Sequence, residues 1–136
     1  LWFDRRGVLW IQTDDGAYVD QTNCMMLAAL PGQLGDGTIT TIGSQATIKG
    51  APANNDNLRR FLVGPKDCEI TGIDITPDGK TMFVNIQHPG EDGPVATPSS
   101  RWPHSLTDAT IGTGGTARPR SATIVVTRTD GGDIAL

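Results

Sequence analysis

The sequence predicts an all-β chain of short antiparallel strands joined by turns and long loops, and three observations predict it. Seventeen Gly and nine Pro among 136 residues, with charged side chains at 19%, leave little room for long helices and imply many turns. Several runs combine β-branched and bulky apolar residues and stop at Gly, Pro or Asp. No stretch carries a convincing amphipathic helical period.

Leu1-Trp2-Phe3-Asp4 already reads as strand, with no polar lead-in, so the chain is expected to be a piece of a longer protein. Residues 3–14 then form a hairpin, with a turn at Arg5-Arg6-Gly7 and a return strand through Val8-Leu9-Trp10-Ile11. Residues 75–87 repeat that grammar around Pro77-Asp78-Gly79, and Leu9 aligns with Met82 at a spacing of 73 residues. Common propeller blades repeat at about 40–50 residues, so extra strands or a long loop must fill the interval.

Within that interval, residues 24–30 fit a buried strand better than a helix by length. Pro31-Gly32 and Gly35-Asp36-Gly37 punctuate the chain before the β-branched strand 38–42. Residues 50–56 read as an exposed loop, and 58–63 as a strand stopped by Gly64-Pro65. Residues 89–120 are the longest structure-poor stretch, and a loop of that length inside a compact domain is usually functional or mobile. Residues 121–128 form a final strong strand before Asp130-Gly131-Gly132, followed by Ile134-Ala135-Leu136. Sheets of three or four strands set radially around an axis fit a spaced hairpin repeat, so the fold expected is one to two blades of a β-propeller. Trp2, Trp10 and Phe83 are assigned to the core between the sheets.

A net charge of -4 and a pI near 4.9 argue against a nucleic-acid partner, which needs clustered cations to displace counterions. No apolar run approaches the roughly 20 residues of a membrane span. Cys24 and Cys68 lack CxxC spacing, so neither a zinc site nor a redox motif is indicated. Buried thiols are their ordinary expectation, with a disulfide left open. There is no GxSxG elbow, no phosphate-binding P-loop and no HExxH, which removes local support for a serine hydrolase, a nucleotide phosphotransferase and a zinc protease.

One stretch carries a specific resemblance. Gly64-Pro65, Glu69-Ile70-Thr71-Gly72, Pro77-Asp78-Gly79, and the run Phe83-Val84-Asn85-Ile86-Gln87-His88-Pro89-Gly90-Glu91 resemble the carboxy-terminal region of the PhoX family of bacterial alkaline phosphatases. Trp102-Pro103, Thr127-Arg128-Thr129-Asp130-Gly131-Gly132 and the opening segment from Asp4 to Asp14 extend the likeness, and residues 31–54 match least. The resemblance implies an exported, periplasmic or secreted β-propeller that hydrolyses phosphate monoesters with calcium and iron. It makes residues 1–136 the carboxy-terminal part of that domain and a phosphate ester the substrate of the whole. The family's iron-binding Cys and several acidic ligands lie upstream of the matched region, so the piece alone is expected to be inactive. The rival expectation is a non-enzymatic propeller that binds a protein or carbohydrate, since one fold hosts unrelated functions.

Glu69 and Asp14 are the candidate metal ligands, because carboxylates at strand ends facing a propeller axis supply the oxygens that calcium prefers. The plain alternatives are a Glu69 ion pair with Arg59 or Arg60, and an ordinary Asp14-Asp15-Gly16 turn. Asn85, Gln87, His88 and Glu91 are placed on a loop near the site, where a rigid sheet presents reactive groups. His88 suits metal binding or protonation of a leaving group, and Glu91 suits calcium; the plain alternative is that His88 caps its strand and fixes the turn by hydrogen bonding. No catalytic residue is assigned. A partial propeller leaves strand edges uncovered, so self-association is expected.

Overall fold

The computed structural model describes residues 1–14, 20–30, 35–50, 53–104 and 118–135. Among them there is no helix; nine strands form three antiparallel sheets. The strands are β1 (Trp2–Phe3), β2 (Leu9–Gln12), β3 (Met25–Ala29), β4 (Gly35–Ile42), β5 (Gln45–Gly50), β6 (Leu58–Val63), β7 (Glu69–Ile75), β8 (Thr81–Gln87) and β9 (Ala122–Thr127). The first sheet runs β1-β2-β3-β6, the second is the β4-β5 hairpin, and the third runs β7-β8-β9. The all-β expectation holds, and every strand anticipated from sequence is present.

One strand escaped the sequence reading. β5 pairs with β4 through Ile42↔Gln45 across Gly43-Ser44. A Gly-Ser pair between two runs of β-branched residues is the mark of a two-residue hairpin, and it was the available signal. Gly50, assigned to a loop, is the last residue of β5; residues 53–56 are exposed turn as expected.

The core lies between the first and third sheets. Val8, Trp10, Cys24 and Met26 from one side meet Cys68, Ile70, Met82, Val84 and Ile86 from the other, and Ile134 closes the cluster. Trp10 is fully buried and meets Phe61 edge-on, with ring centroids 4.9 Å apart at 76°. Such an edge-to-face pair adds about 1 kcal/mol beyond its buried area. Phe83 is not in this core: at 39% exposure it stands on the opposite face of β8, between buried Met82 and Val84.

The physical reason lies in how the two hairpins are used. β1-β2 closes over three residues, with Asp4 N–H donating to Val8 O, and β7-β8 closes over four, with Thr76 N–H donating to Thr81 O. In pairing register Leu9 then corresponds to Met82, and Trp10 to Phe83, the 73-residue alignment seen in the sequence. Yet Trp10 and Met82 are the buried members. Sheets that repeat by rotation about an axis bring the front of one against the back of the next, so equivalent strands bury opposite faces. That parity agrees with neighbouring blades of a propeller.

The polar part of this frame is local and well satisfied. Asp4, 8% exposed, accepts from the backbone N–H of Arg6 and Val8, the Arg6 guanidinium and Trp10 Nε1. Burial alone would raise its pKa, but these donors outweigh burial and hold it below the usual carboxylate value.

Candidate functional site

Glu69 begins β7 and Gln87 ends β8, and the two are directly paired. The ladder reaches this pair through a bulge: Thr71 faces Asn85, but Ile73 faces Val84, leaving Gly72 as the extra residue at φ +53°. The bulge decides which way Glu69 points. Strict alternation back from Ile75 and Ile73 would aim Thr71 and Glu69 into the core. The extra residue instead buries Ile70 and turns Thr71 and Glu69 outward.

The gap at Gly72 has a second use. A Cβ there would lie 2.5 Å from Asn85 Nδ2, so only glycine leaves the Asn85 amide its place. Thr123 Oγ1 donates to Asn85 Oδ1 at 2.7 Å and fixes its rotamer. Asn85 and Gln87, expected on the loop, lie instead within β8, because the alternating run continues to Gln87, and are displayed on the exposed face of the sheet end, beside Thr71, Ser121 and Thr123.

His88 follows Gln87 at φ +36°, and Asp67, two residues before Glu69, is at φ +50°. Left-handed backbone at non-glycine residues costs of order 1 kcal/mol each, and such residues gather at functional sites. Here they flank both sides of one sheet end. His88 N–H donates to Ser121 Oγ at 3.0 Å. Its ring sits between two carboxylates, with Nε2 3.5 Å from Glu69 Oε2 and Nδ1 3.0 Å from Glu91 Oε2. The Nδ1 contact brings charge close without hydrogen-bond alignment, since buried Nδ1 has no aligned partner among the described residues. Glu69 therefore pairs with His88 and not with an arginine; Arg59 donates its Nε to Asn55 O instead.

The loop holding Glu91 is tied to the strand that follows Asp67. Gly90 N–H donates to Asp67 O at 2.7 Å, and Ser99 Oγ donates to the Asp67 carboxylate. His88, Glu91, Arg118 and Ser121 stand among Pro89, Pro94 and Pro98 around a cavity of about 310 Å³. That volume lies at the small end of ligand pockets.

Asp14 reaches the same end of the molecule. Ile70 N–H donates to Thr13 O at 3.3 Å, which sets the residues after β2 beside the start of β7. Asp14 is exposed, and its neighbours Asp15 and Gly16 lie outside the described residues. The structure thus brings Glu69, His88 and Glu91 into contact and places Asn85, Gln87 and Asp14 at the same sheet end. Sequence reasoning missed Ser121 and Arg118, the first a hydrogen-bond partner of His88 and the second a cavity wall. The signal for Arg118 was membership of the long loop before the last strand, and Ser121 was read as the first residue of that strand, one residue ahead of where β9 begins.

The family model described as alkaline phosphatase PhoX matches residues 1–90. Among solved structures, Pseudomonas fluorescens PhoX in complex with vanadate, a transition state analogue, is similar at 36% sequence identity and a TM-score of 0.64. The alignment covers 98% of this chain and 18% of that one. No curated protein matches the chain.

Proposed function

The chain belongs to the PhoX family of alkaline phosphatases, and from that premise we propose that it is the carboxy-terminal part of a metal-dependent phosphomonoesterase that hydrolyses phosphate esters. The observation that carries the reading is the likeness over 98% of the chain to a phosphatase whose structure holds a transition-state analogue. Because the alignment spans 18% of that protein, activity is assigned to the longer protein, and the 136-residue chain is expected to be inactive alone.

Calcium and iron are the cofactors this reading carries. The donor chemistry fits calcium in part: Glu69, Glu91 and Asp14 offer hard carboxylate oxygens near one sheet end. Among the described residues no group of three or more His, Cys, Asp or Glu is arranged to hold an ion, so on this reading these carboxylates are lent to a site shared with the rest of the longer protein. Among the described residues iron finds no fitting set; Cys68 faces the core, and burial first, then the neighbouring Cys24, pushes its thiol up to about 12. A bound cation in phosphoester chemistry neutralises charge on the phosphoryl oxygens.

What the chain's own residues contribute is position. Glu69 and Glu91 hold the His88 ring between them, and a neutral imidazole offers one N–H that can give up a proton and one bare nitrogen that can accept one, at Nδ1 and Nε2 in either order. Asn85 and Gln87 present amides on the adjoining face. The reading includes a periplasmic or secreted location, in keeping with the family; no described helix is long and apolar enough to cross a membrane. It also includes self-association of the isolated chain through uncovered strand edges.

The test is metal content and p-nitrophenyl phosphate hydrolysis by the longer protein, beside Glu69→Ala. Bound calcium and iron, with activity and calcium reduced in the variant, are expected. A metal-free, inactive protein overturns the phosphatase reading and leaves a binding propeller in its place.

A further inference from the structure

Cys24 and Cys68 immediately precede strands of different sheets, 44 residues apart in sequence, and one glycine leaves room for the Cys68 thiol beside the Cys24 position. Cys24 immediately precedes β3, and its carbonyl accepts the Gly64 N–H at 2.9 Å, which extends the β3–β6 ladder by one pair beyond Met25↔Val63. Residues opposite each other in an antiparallel ladder project to the same face, with Cβ positions about 5 Å apart. Gly64 has no side chain, and the Cys68 sulfur fills the vacancy: a Cβ on Gly64 would lie 2.5 Å from Cys68 Sγ. The Cys68 thiol therefore sits where the ladder neighbour of the Cys24 side chain would be. Both are buried, at 7% and 4% exposure, within the same cluster. The structure holds them as thiols.

We propose that Cys24 and Cys68 form a disulfide that clasps the first sheet to the third immediately beneath the Glu69–His88–Glu91 cluster. In the step, each thiol gives up its proton and the pair gives up two electrons, the sulfur–sulfur bond forms, and a small-molecule or protein disulfide is reduced to two thiols. Cys68 directly precedes Glu69, and Asp67 holds the Glu91 loop through Gly90, so the clasp fixes the backbone from which the cluster is presented. Thiolates attack, and burial keeps the Cys68 thiol protonated, so exchange on the folded chain is slow and the bond forms as the chain folds.

The experiment is oxidative refolding of the 136-residue chain in a mixture of reduced and oxidised glutathione. Intact mass and peptide mapping are read, and melting is followed with and without reductant. The expected product has lost two hydrogen atoms, yields a linked Cys24–Cys68 peptide, and melts roughly 10 °C above the reduced chain. Cys24→Ser and Cys68→Ala each abolish the linked peptide and make melting independent of reductant. Folded chain that keeps both thiols in excess oxidised glutathione overturns the proposal, as do glutathione adducts or intermolecular dimers without the internal link. If the chain does not refold, the same mapping on the longer phosphatase, isolated after export under thiol-blocking conditions, gives the same two outcomes. This result is independent of phosphatase activity.

Discussion

Arg6 Nη1 donates to the carbonyl of Ile134 at 2.6 Å, joining the first hairpin turn to the far end of the chain. The same guanidinium donates to Asp4, and Ile134 N–H donates to Gly79 O, so one short segment bridges the turns of both hairpins. The Ile134 side chain, 1% exposed, plugs the core between the two sheets.

Ile134→Ala is therefore expected to act as a core cavity, although it lies near a terminus where substitutions are usually tolerated. A loss of about 2–4 kcal/mol follows from deleting the buried groups. Urea denaturation checks it; a loss below about 1 kcal/mol would mean that the segment is not seated in the core.

Asp4→Asn tests the buried carboxylate cluster. The amide still accepts a backbone N–H but loses the paired Arg6 fork, at a cost of about 1–3 kcal/mol at neutral pH. The pH dependence has a definite sign. Asp4 has a folded pKa below its unfolded value, so its contribution is present above about pH 4 and is lost as pH falls through the folded pKa. The melting temperature of the parent chain should drop more steeply below pH 4 than that of Asp4→Asn, and parallel curves would refute the assignment.

The strands and both hairpins were legible because alternation and turn residues act locally. β8 read plainly from Met82, Val84 and Ile86, whereas in β7 Ile73 and Ile75 alternate but Ile70 falls out of step at the Gly72 bulge. What alternation does not state is which face meets a neighbour, and Phe83 shows it: the larger side chain lies outside because stacking, not size, selects the buried parity. The cluster was half legible. His88 and Glu91 are neighbours in sequence, but Glu69 joins them only through a ladder register that the Gly72 bulge shifts by one residue. Nothing in a single sequence separates a bulge glycine from a glycine that merely weakens a strand.

Gly72→Ala follows from that role. Its φ of +53° disfavours any side chain, and the added Cβ would press on Asn85 Nδ2. A cost of about 1–2 kcal/mol is expected. Nuclear magnetic resonance should show the perturbation spreading to the Asn85 amide and Thr123, which are hydrogen-bonded. Shifts confined to residues 71–73 would contradict the bulge's part in placing Asn85.

Substitutions at His88 separate backbone from side chain. Asn tolerates left-handed backbone, so His88→Asn should keep stability within about 1 kcal/mol while removing both carboxylate contacts. His88→Val, β-branched at positive φ, should lose about 1–3 kcal/mol. Equal stabilities for the two variants would show that the backbone at 88 is unstrained.

Phe83 and Val125 face each other across β8 and β9 on the surface away from the core, at 39% and 60% exposure. An apolar cross-strand pair on a solvent face gains nothing from water, and in a rotating stack of sheets this is the face that the next blade covers. For the isolated 136-residue chain, a second copy supplies the nearest apolar surface, so the apparent mass in light scattering should rise with concentration. Replacing the pair by Phe83→Lys and Val125→Glu keeps a favourable cross-strand contact and charges the face. That double variant should stay monomeric and melt within a few degrees of the parent chain, since neither side chain is in the core. A parent chain that stays monomeric at high concentration would remove self-association from the reading. Association that survives in the double variant would move it to the backbone edges of β1, β6, β7 and β9, the outer strands of the two larger sheets.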